Sequence, residues 1–280
     1  MRQPIVTLTT DFGLADHFVG AMKGAILSIE PRARIVDISH LIAPYSVAEA
    51  AFVLWQAYAC FPRGTVHVAV VDPGVGSARR TLLVEAAGQY FVAPDNGVLS
   101  IILAREKHKV RAITAERYFR QPVSRTFHGR DIFAPVAGHL ARGVAPSRFG
   151  RLISDCVRGE FAEPAASGSS GWEGCVLKVD RFGNLITNFP SARHEGLRTG
   201  EFEMRAGRRR ITKHVSSYSE GRRGELFVIG GSSGLLEIAV NQGSAARLAG
   251  LAAGSLVQLR LVPAYTVGNG DKSTTKEENR

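Results

Sequence analysis

Over residues 5 to 140, short β-branched runs alternate with stretches whose apolar side chains recur at helical spacing; beyond about residue 171 the helical stretches stop. This alternation, and its sudden end, constrains the fold more than any other feature. Ile5-Val6-Thr7-Leu8 is a strand ending at Thr9-Thr10-Asp11-Phe12-Gly13. From His17 to Ser28, Val19, Met22, Ile26 and Leu27 mark one face of a helix, and Pro31 follows. Ile35 to Ile38 is the next strand. Ser46 to Tyr58 reads as a helix opened by a capping box of Ser46 and Glu49. Thr65 to Val71 has the composition of a strand buried on both faces, with shorter strands at Thr81 to Glu85 and Tyr90 to Ala93. Strands alternating with helices predict an α/β domain with a mostly parallel sheet flanked by helices, and ligands in such sheets bind beyond the strands' carboxyl ends.

The stretch 159–171 contains Glu163-Pro164-Ala165-Ala166-Ser167-Gly168-Ser169-Ser170 and reads as a linker. After it come Gly174 to Val179, Gly200 to Met204, Leu226 to Ile229, Leu235 to Val240 and Ser255 to Leu261, strands separated by turn residues without long helices. They predict a smaller C-terminal β-barrel domain. The expected organisation is thus 1–158 for the α/β domain, 159–171 for the linker, 172–265 for the barrel and 266–280 for a polar, disordered tail.

Composition excludes several classes. No run approaches the roughly 20 apolar residues of a membrane-spanning helix. Met1-Arg2 leads directly into the first strand, leaving no h-region of a signal peptide, so a cytoplasmic location is expected. Cys60, Cys156 and Cys175 form no metal-binding spacing and read as buried, reduced thiols. The net charge of +10 raises the question of nucleic acid. The excess is spread along the chain; the one dense cluster, Arg205 with Arg208-Arg209-Arg210, lies between strand-like runs and reads as a solvated turn. A nucleic-acid partner is disfavoured.

Two aspartates follow strands directly, Asp11 in TTDFG and Asp72 in VVDPGVGSARR. One such residue alone is as well explained by a turn or cap. Two at the same end of one sheet favour a binding site. Asp16 suits a helix cap and a ligand contact equally. The Asp72 to Arg80 loop lacks the G-K-[ST] of a phosphate-binding loop and does not fit G-x-G-x-x-G. In Arg125-Thr126-Phe127-His128-Gly129-Arg130-Asp131, a histidine sits beside a glycine that permits close approach, and Asp131 is placed to cap the helix that follows. Gly230-Gly231-Ser232-Ser233-Gly234 matches a nucleophile elbow in spelling, but a strand follows it and no histidine lies downstream, which excludes serine-hydrolase chemistry. In Asp180-Arg181-Phe182-Gly183-Asn184, Asp180 and Asn184 suit a ligand with Phe182 stacking on it; an Asx-rich turn fits the same residues.

Taken together and in this order, TTDFG, VVDPGVGSARR, APDNG, TFHGRD, DRFGN and GGSSGLLEIAVN resemble the S-adenosylmethionine hydroxide adenosyltransferase family, relatives of the fluorinase and chlorinase, over roughly residues 4 to 263. The resemblance implies hydrolysis of S-adenosyl-L-methionine to adenosine and L-methionine by attack of water at C5′, with no metal and no cofactor. It also implies a homotrimer whose sites lie between the N-terminal domain of one subunit and the C-terminal domain of the next. Asp72, Arg79 and His128 match the water-activating set, and their retention argues against a halogenase using chloride. Asp11 matches the carboxylate on the ribose hydroxyls, with Tyr45 near the ribose. Asp16 and Asp180 match the acids around the methionine ammonium, Ser232 meets its carboxylate, and Asn184 lies at the adenine edge. Phe127, Phe182 and Tyr218 are the implied apolar walls. Ser233 departs from the family pattern: the fluorinase has arginine there. A protein that binds S-adenosylmethionine or adenosine without turning it over is the alternative from another class.

Overall fold

The computed structural model describes residues 3–159, 163–168, 171–198 and 201–261. The tail expected at 266–280 lies outside the described residues, as do 160–162 and 169–170 of the expected linker. The chain divides into two units, Met1–Phe161 and Ala162–Arg280.

The first unit contains β1 (Ile5–Thr10), α1 (Phe18–Leu27), β2 (Arg34–Ser39), α2 (Val47–Tyr58), β3 (Val66–Val70), β4 (Thr81–Ala86), β5 (Gln89–Pro94), α3 (Ser100–Arg105), β6 (His108–Ala112), α4 (Ala134–Ala141) and β7 (Leu152–Ile153). Its seven-stranded sheet has the order β2-β1-β3-β5-β4-β6-β7. The β2-β1, β1-β3 and β3-β5 pairs are parallel, whereas β5-β4, β4-β6 and β6-β7 are antiparallel. The sheet is therefore mixed, which corrects the expectation of a mostly parallel one. The cause is local: β4 and β5 are joined by Ala87-Gly88, both at positive φ, and a two-residue connection can only join antiparallel neighbours.

Val66, Val68 and Val70 of β3 pack with Val6, Leu8, Met22, Ile26 and Val136, so α1 and α4 cover one face. Ala69 and Val71 turn to the other face, where Ala50, Leu54, Phe91 and Ile102 bring in α2 and α3. Successive side chains of a strand point to opposite faces, so a strand covered on both sides is apolar throughout. The exception in β3 is His67, fully buried in a row across three strands. Its Nδ1 lies 2.7 Å from Thr7 Oγ1 and its Nε2 2.8 Å from Gln89 Oε1. The Gln89 amide nitrogen donates to the carbonyl of Phe61 at 2.7 Å, so Gln89 Oε1 accepts from the ring. Burial holds the imidazole at a pKa of about 4, neutral at physiological pH.

The chain leaves β1 through α1 to β2 on one side and returns through α2, on the opposite face, to β3 on the other side. The carboxyl ends of β1 and β3 therefore flank a topological switch point. At the start of α2, Ser46 Oγ accepts from the Glu49 amide at 3.4 Å, but the Glu49 carboxylate accepts from the Ala43 amide instead of completing the capping box.

The second unit contains β8 (Ala165–Ser167), β9 (Gly171–Val179), β10 (Leu185–Pro190), β11 (Phe202–Ala206), β12 (Arg209–Ile211), β13 (His214–Val215), β14 (Phe227–Gly230), β15 (Leu235–Ala239), α5 (Ala245–Ala249) and β16 (Leu256–Leu261). Within the expected linker, β8 pairs with β9. The strand path runs β12-β11-β16-β9-β10-β15-β14-β13. One cluster gathers Ile211 from β12, Met204 from β11, Val176 from β9 and Val228 from β14. Residues from both ends of the path meet only if the sheet curls. In place of the expected barrel it is a curled half-barrel: among the described residues no pairing joins β12 to β13. The three cysteines are free, and Cys60 is exposed where a buried thiol was expected.

Candidate active site

A cleft of about 390 Å³ opens at the switch point, lined by Asp11, Phe12, Phe18, Pro44, Tyr45, Val70, Asp72, Val75, Thr126, Phe127, His128 and Gly129. Asp11 and Asp72 lie just beyond β1 and β3. Five residues singled out from the sequence thus share one cavity.

Behind the cleft, Arg79 joins two loops. Its Nε donates to Asp72 Oδ1 at 2.8 Å and its Nη2 donates to Asp72 Oδ2, a fork-to-fork pair. The same Nη2 lies 2.8 Å from His128 Nδ1. The Asp72 and Arg79 side chains are 4% and 9% exposed, so the pair is shielded from water. A guanidinium only donates, so His128 Nδ1 accepts and the ring proton of the neutral imidazole sits on Nε2. Burial, followed by the adjacent Arg79 charge, holds His128 below its ordinary value, against the opposing pull of Asp72 and Asp131. The imidazole is neutral at physiological pH.

Glycines bring these groups together. Gly76 has φ +77°, and a Cβ there would lie 2.4 Å from the Arg125 carbonyl oxygen. The Asp72–Arg79 loop and the loop carrying His128 touch through that missing side chain. At Gly129 a Cβ would meet Met22 and Phe127 at 3.2 Å. Phe127 sits in an aromatic cluster with Phe18 at 5.1 Å and Phe12 at 6.0 Å between centroids, an apolar wall. Asp131 does not cap the following helix as expected. It is fully buried, accepts from the Ser124 amide at 2.9 Å and pairs with Arg130, and so ties the His128 loop to itself.

Tyr45 is held in the left-handed region at φ +67°, a strained conformation for a bulky side chain. Its amide donates to Asp11 Oδ2 at 2.9 Å, and its side chain is largely exposed at the cleft. Backbone strain spent to present an exposed aromatic beside a carboxylate marks a ligand contact better than it marks a folding device. Asp16 is exposed on the same loop but does not line the cleft, and the cap position of α1 belongs to His17.

In the second unit, Asp180 closes the β9–β10 turn. Its Oδ1 accepts from the amides of Phe182 at 2.9 Å and Asn184 at 2.8 Å, and its Oδ2 from Asn184 Nδ2 at 2.9 Å. This is an Asx turn, with Phe182 77% exposed at its tip. Tyr218 donates from its hydroxyl to Glu237 Oε2 at 2.8 Å. Ser232 is exposed on the turn from Gly231 to Gly234 that leads into β15. The sequence reading missed Glu237, which links these pieces. It is buried, it holds Tyr218, and a Cβ on Gly231 would lie 1.9 Å from its Oε1. Burial, with the nearby Asp180 charge, raises its pKa. A single acid inside the apolar run LLEIAV was the available signal.

The basic cluster is absorbed locally: Arg205 and Arg210 both pair with Glu203, and Arg209 donates to the Leu248 carbonyl. Among the described residues no three His, Cys, Asp or Glu side chains are grouped to hold a metal ion, and no helix is long and apolar enough to cross a membrane.

A mixed α/β unit with a carboxylate–guanidinium–imidazole cluster at its switch point, followed by a curled β unit, defines a two-domain class. Models of the SAM hydroxide adenosyltransferase N-terminal and C-terminal domains match residues 6–150 and 174–258, and the chain belongs to this family. It is 38% identical to an (R)-S-adenosyl-L-methionine hydrolase of Salinispora tropica, covering 91% of this chain and 97% of the relative. A fluorinase of an Actinoplanes species is 32% identical over 66% of this chain and 71% of its own. Among solved structures, an uncharacterized conserved protein from Thermotoga maritima superimposes with a TM-score of 0.85 at 37% identity, covering 91% of this chain and 99% of that one.

Proposed function

We propose that the protein hydrolyses S-adenosyl-L-methionine to adenosine and L-methionine by attack of water at C5′. The observation that carries this reading is the Asp72–Arg79–His128 cluster at the cleft, in a chain nearer in sequence to the hydrolase relative than to the fluorinase.

The sulfonium leaves as a neutral thioether, so the reaction needs a water held in line with the C5′–S bond more than it needs leaving-group assistance. Neutral His128 donates from Nε2 to orient that water, Asp72 takes the water's proton on a carboxylate oxygen as C5′ is attacked, and Arg79 stabilises the hydroxide character that develops. Because Arg79 already donates to both, the proton is transferred within a network whose members polarise one another. Asp11 accepts from the two ribose hydroxyls, with Tyr45 alongside and Phe127 as the apolar wall. Asp16 and Asp180 meet the ammonium, Ser232 the carboxylate and Asn184 the adenine edge, between Phe182 and Tyr218. These second-unit contacts belong to a cytoplasmic homotrimer in which the C-terminal β domain completes the site of a neighbouring subunit. Neither a metal nor a cofactor takes part.

Incubation with S-adenosylmethionine in ¹⁸O-labelled water, with chloride present, tests the proposal. Mass spectrometry is expected to find methionine and adenosine carrying the label at its 5′ oxygen. A 5′-chlorinated nucleoside, or intact substrate from folded protein, would overturn it.

A further inference from the structure

The motif Ala93-Pro94-Asp95-Asn96-Gly97 lies outside the cleft's lining, yet its polar side chains are aimed at the loop that carries Asp72 and Arg79. Strand β5 lies between β3 and β4, so the connection from Val71 to Arg80 must arch across the end of β5. Asp95 and Asn96 stand at that end. Asn96 Nδ2 donates to the Val71 carbonyl at 2.8 Å, immediately before Asp72. The ladder between β3 and β5 pairs Val66 with Tyr90 through Val68 with Val92, and the Asn96 amide extends the tie beyond it. Its Oδ1 meanwhile accepts from the Val98 amide at 3.2 Å, which fixes the side chain's direction.

Asp95 holds the other foot of the arch. Its amide donates to the Arg80 carbonyl at 2.9 Å, the oxygen that also faces Arg79 Nη1 at 3.4 Å. Its buried carboxylate takes Arg80 Nε at 2.8 Å and the Val157 amide at 2.7 Å. Arg80 is completed by Asp155, through Oδ1 at 2.9 Å and the carbonyl at 2.7 Å. Of two adjacent arginines, one is thereby tied to the scaffold and the other reaches Asp72 and His128.

We infer that Asp95 and Asn96 form a positioning clamp that sets the Asp72–Arg79–His128 geometry by fixing both feet of the loop between β3 and β4. Neither residue touches substrate; Asn96 acts on Asp72 through the Val71 carbonyl, and Asp95 acts on Arg79 through Arg80. The assignment of a catalytic consequence rests on the hydrolase reading, and the clamp itself does not.

Asn96→Ser is the discriminating variant, because a serine hydroxyl can still accept from the Val98 amide but cannot reach the Val71 carbonyl. Asp95→Asn, which keeps an acceptor for Val157 and removes the charge facing Arg80, is its companion. Tyr58→Phe, which removes a hydrogen bond to Glu106 at the far side of the unit, controls for general loosening. In Asn96→Ser, kcat is expected to fall about 10- to 100-fold with KM within about threefold, the signature of a reacting group displaced without loss of substrate contacts. A second readout needs no substrate: the His128 imidazole, followed by NMR, should change its titration midpoint in both clamp variants and keep it in Tyr58→Phe. The groups facing that imidazole are Arg79, Asp72 and Asp131, and only the first two are carried by the clamped loop. Unchanged His128 titration and unchanged kcat in folded Asn96→Ser would overturn the clamp. Wild-type protein without turnover, but with the titration displaced in the variants, would overturn the hydrolase reading and leave the clamp standing.

Discussion

The two units secure their candidate site residues by opposite means. In the first, the ties span the chain: Arg79 meets His128 across 49 positions, Tyr45 meets Asp11 across 34, and Asn96 meets Val71 across 25. Each tie has one end beside a strand of the seven-stranded sheet: Asp11 after β1, Val71 after β3 and Arg79 before β4. In the second, the ties are short. Asp180 holds Asn184 four residues away, and Phe182 and Ser232 ride exposed on turns. Long-range ties fix relative positions to within a hydrogen bond, as chemistry at a reacting atom demands. Turns hold their own shape and leave their tips free, which suits groups that grip the periphery of a ligand. Glu237, buried and holding Tyr218 across 19 positions, departs from this pattern.

The contrast breaks most visibly at Asp72. Asp72→Asn and His128→Ala should each lower kcat about 10²- to 10⁴-fold, with the double variant little worse than either single one because the three groups act as a unit. Steady-state kinetics on the four proteins check this; additive losses would mean that Arg79 does not couple them.

The next effect is on stability and belongs to the scaffold beneath. As pH falls through about 6.5 the unfolded chain protonates the His67 imidazole, while the folded protein keeps it neutral down to about 4. Stability held above pH 6.5 is therefore lost across that window, by up to about 3 kcal/mol at 1.36 kcal/mol per unit. Urea unfolding at pH 7, 5.5 and 4 should show the decline, and His67→Gln should flatten it.

The smallest effect sharpens the second unit. Glu237 has a raised pKa, so its contribution is present below the ordinary carboxyl range and is lost as pH rises through the elevated folded value. Glu237→Gln keeps an acceptor for Tyr218 and removes the buried charge. Calorimetry should find the variant slightly more stable than wild type at pH 7 to 8 and equal to it near pH 4. Lower stability at neutral pH would mean that the Tyr218 bond to the ionised form outweighs burial.

Much of this was legible in the residues. Asp11 and Asp72 follow strands directly, and alternation of strand and helix located the switch point they flank. The antiparallel half was hidden because its hairpin is made by Ala87-Gly88, where a non-glycine at positive φ replaces the usual Asn-Gly signature. Strand β10 lacks a strand's usual composition, because Thr187 and Asn188 sit in its buried middle and Pro190 ends it. Arg79 and Arg80 are alike in the sequence; in the fold these adjacent residues entering β4 point to opposite sides, one to Asp72 and the other to Asp95. Asp131 and Glu237 share one difficulty. A buried acid's role depends on which distant donor reaches it, and no local pattern records that.

The strand order has a consequence in time. β5 lies between β3 and β4 yet follows both in the chain, so the loop joining β3 to β4 spans strands that become second neighbours only when β5 is in place. Asp72 and Arg79 therefore stand near the two feet of one loop, and those feet hold their native spacing only with β5 seated between the strands. A chain with the β4–β5 hairpin formed but not seated against β3 is therefore expected to lack the positioned cleft and to be inactive. Recovery of activity on refolding thus counts finished molecules, and should trail every probe that responds to the hairpin alone.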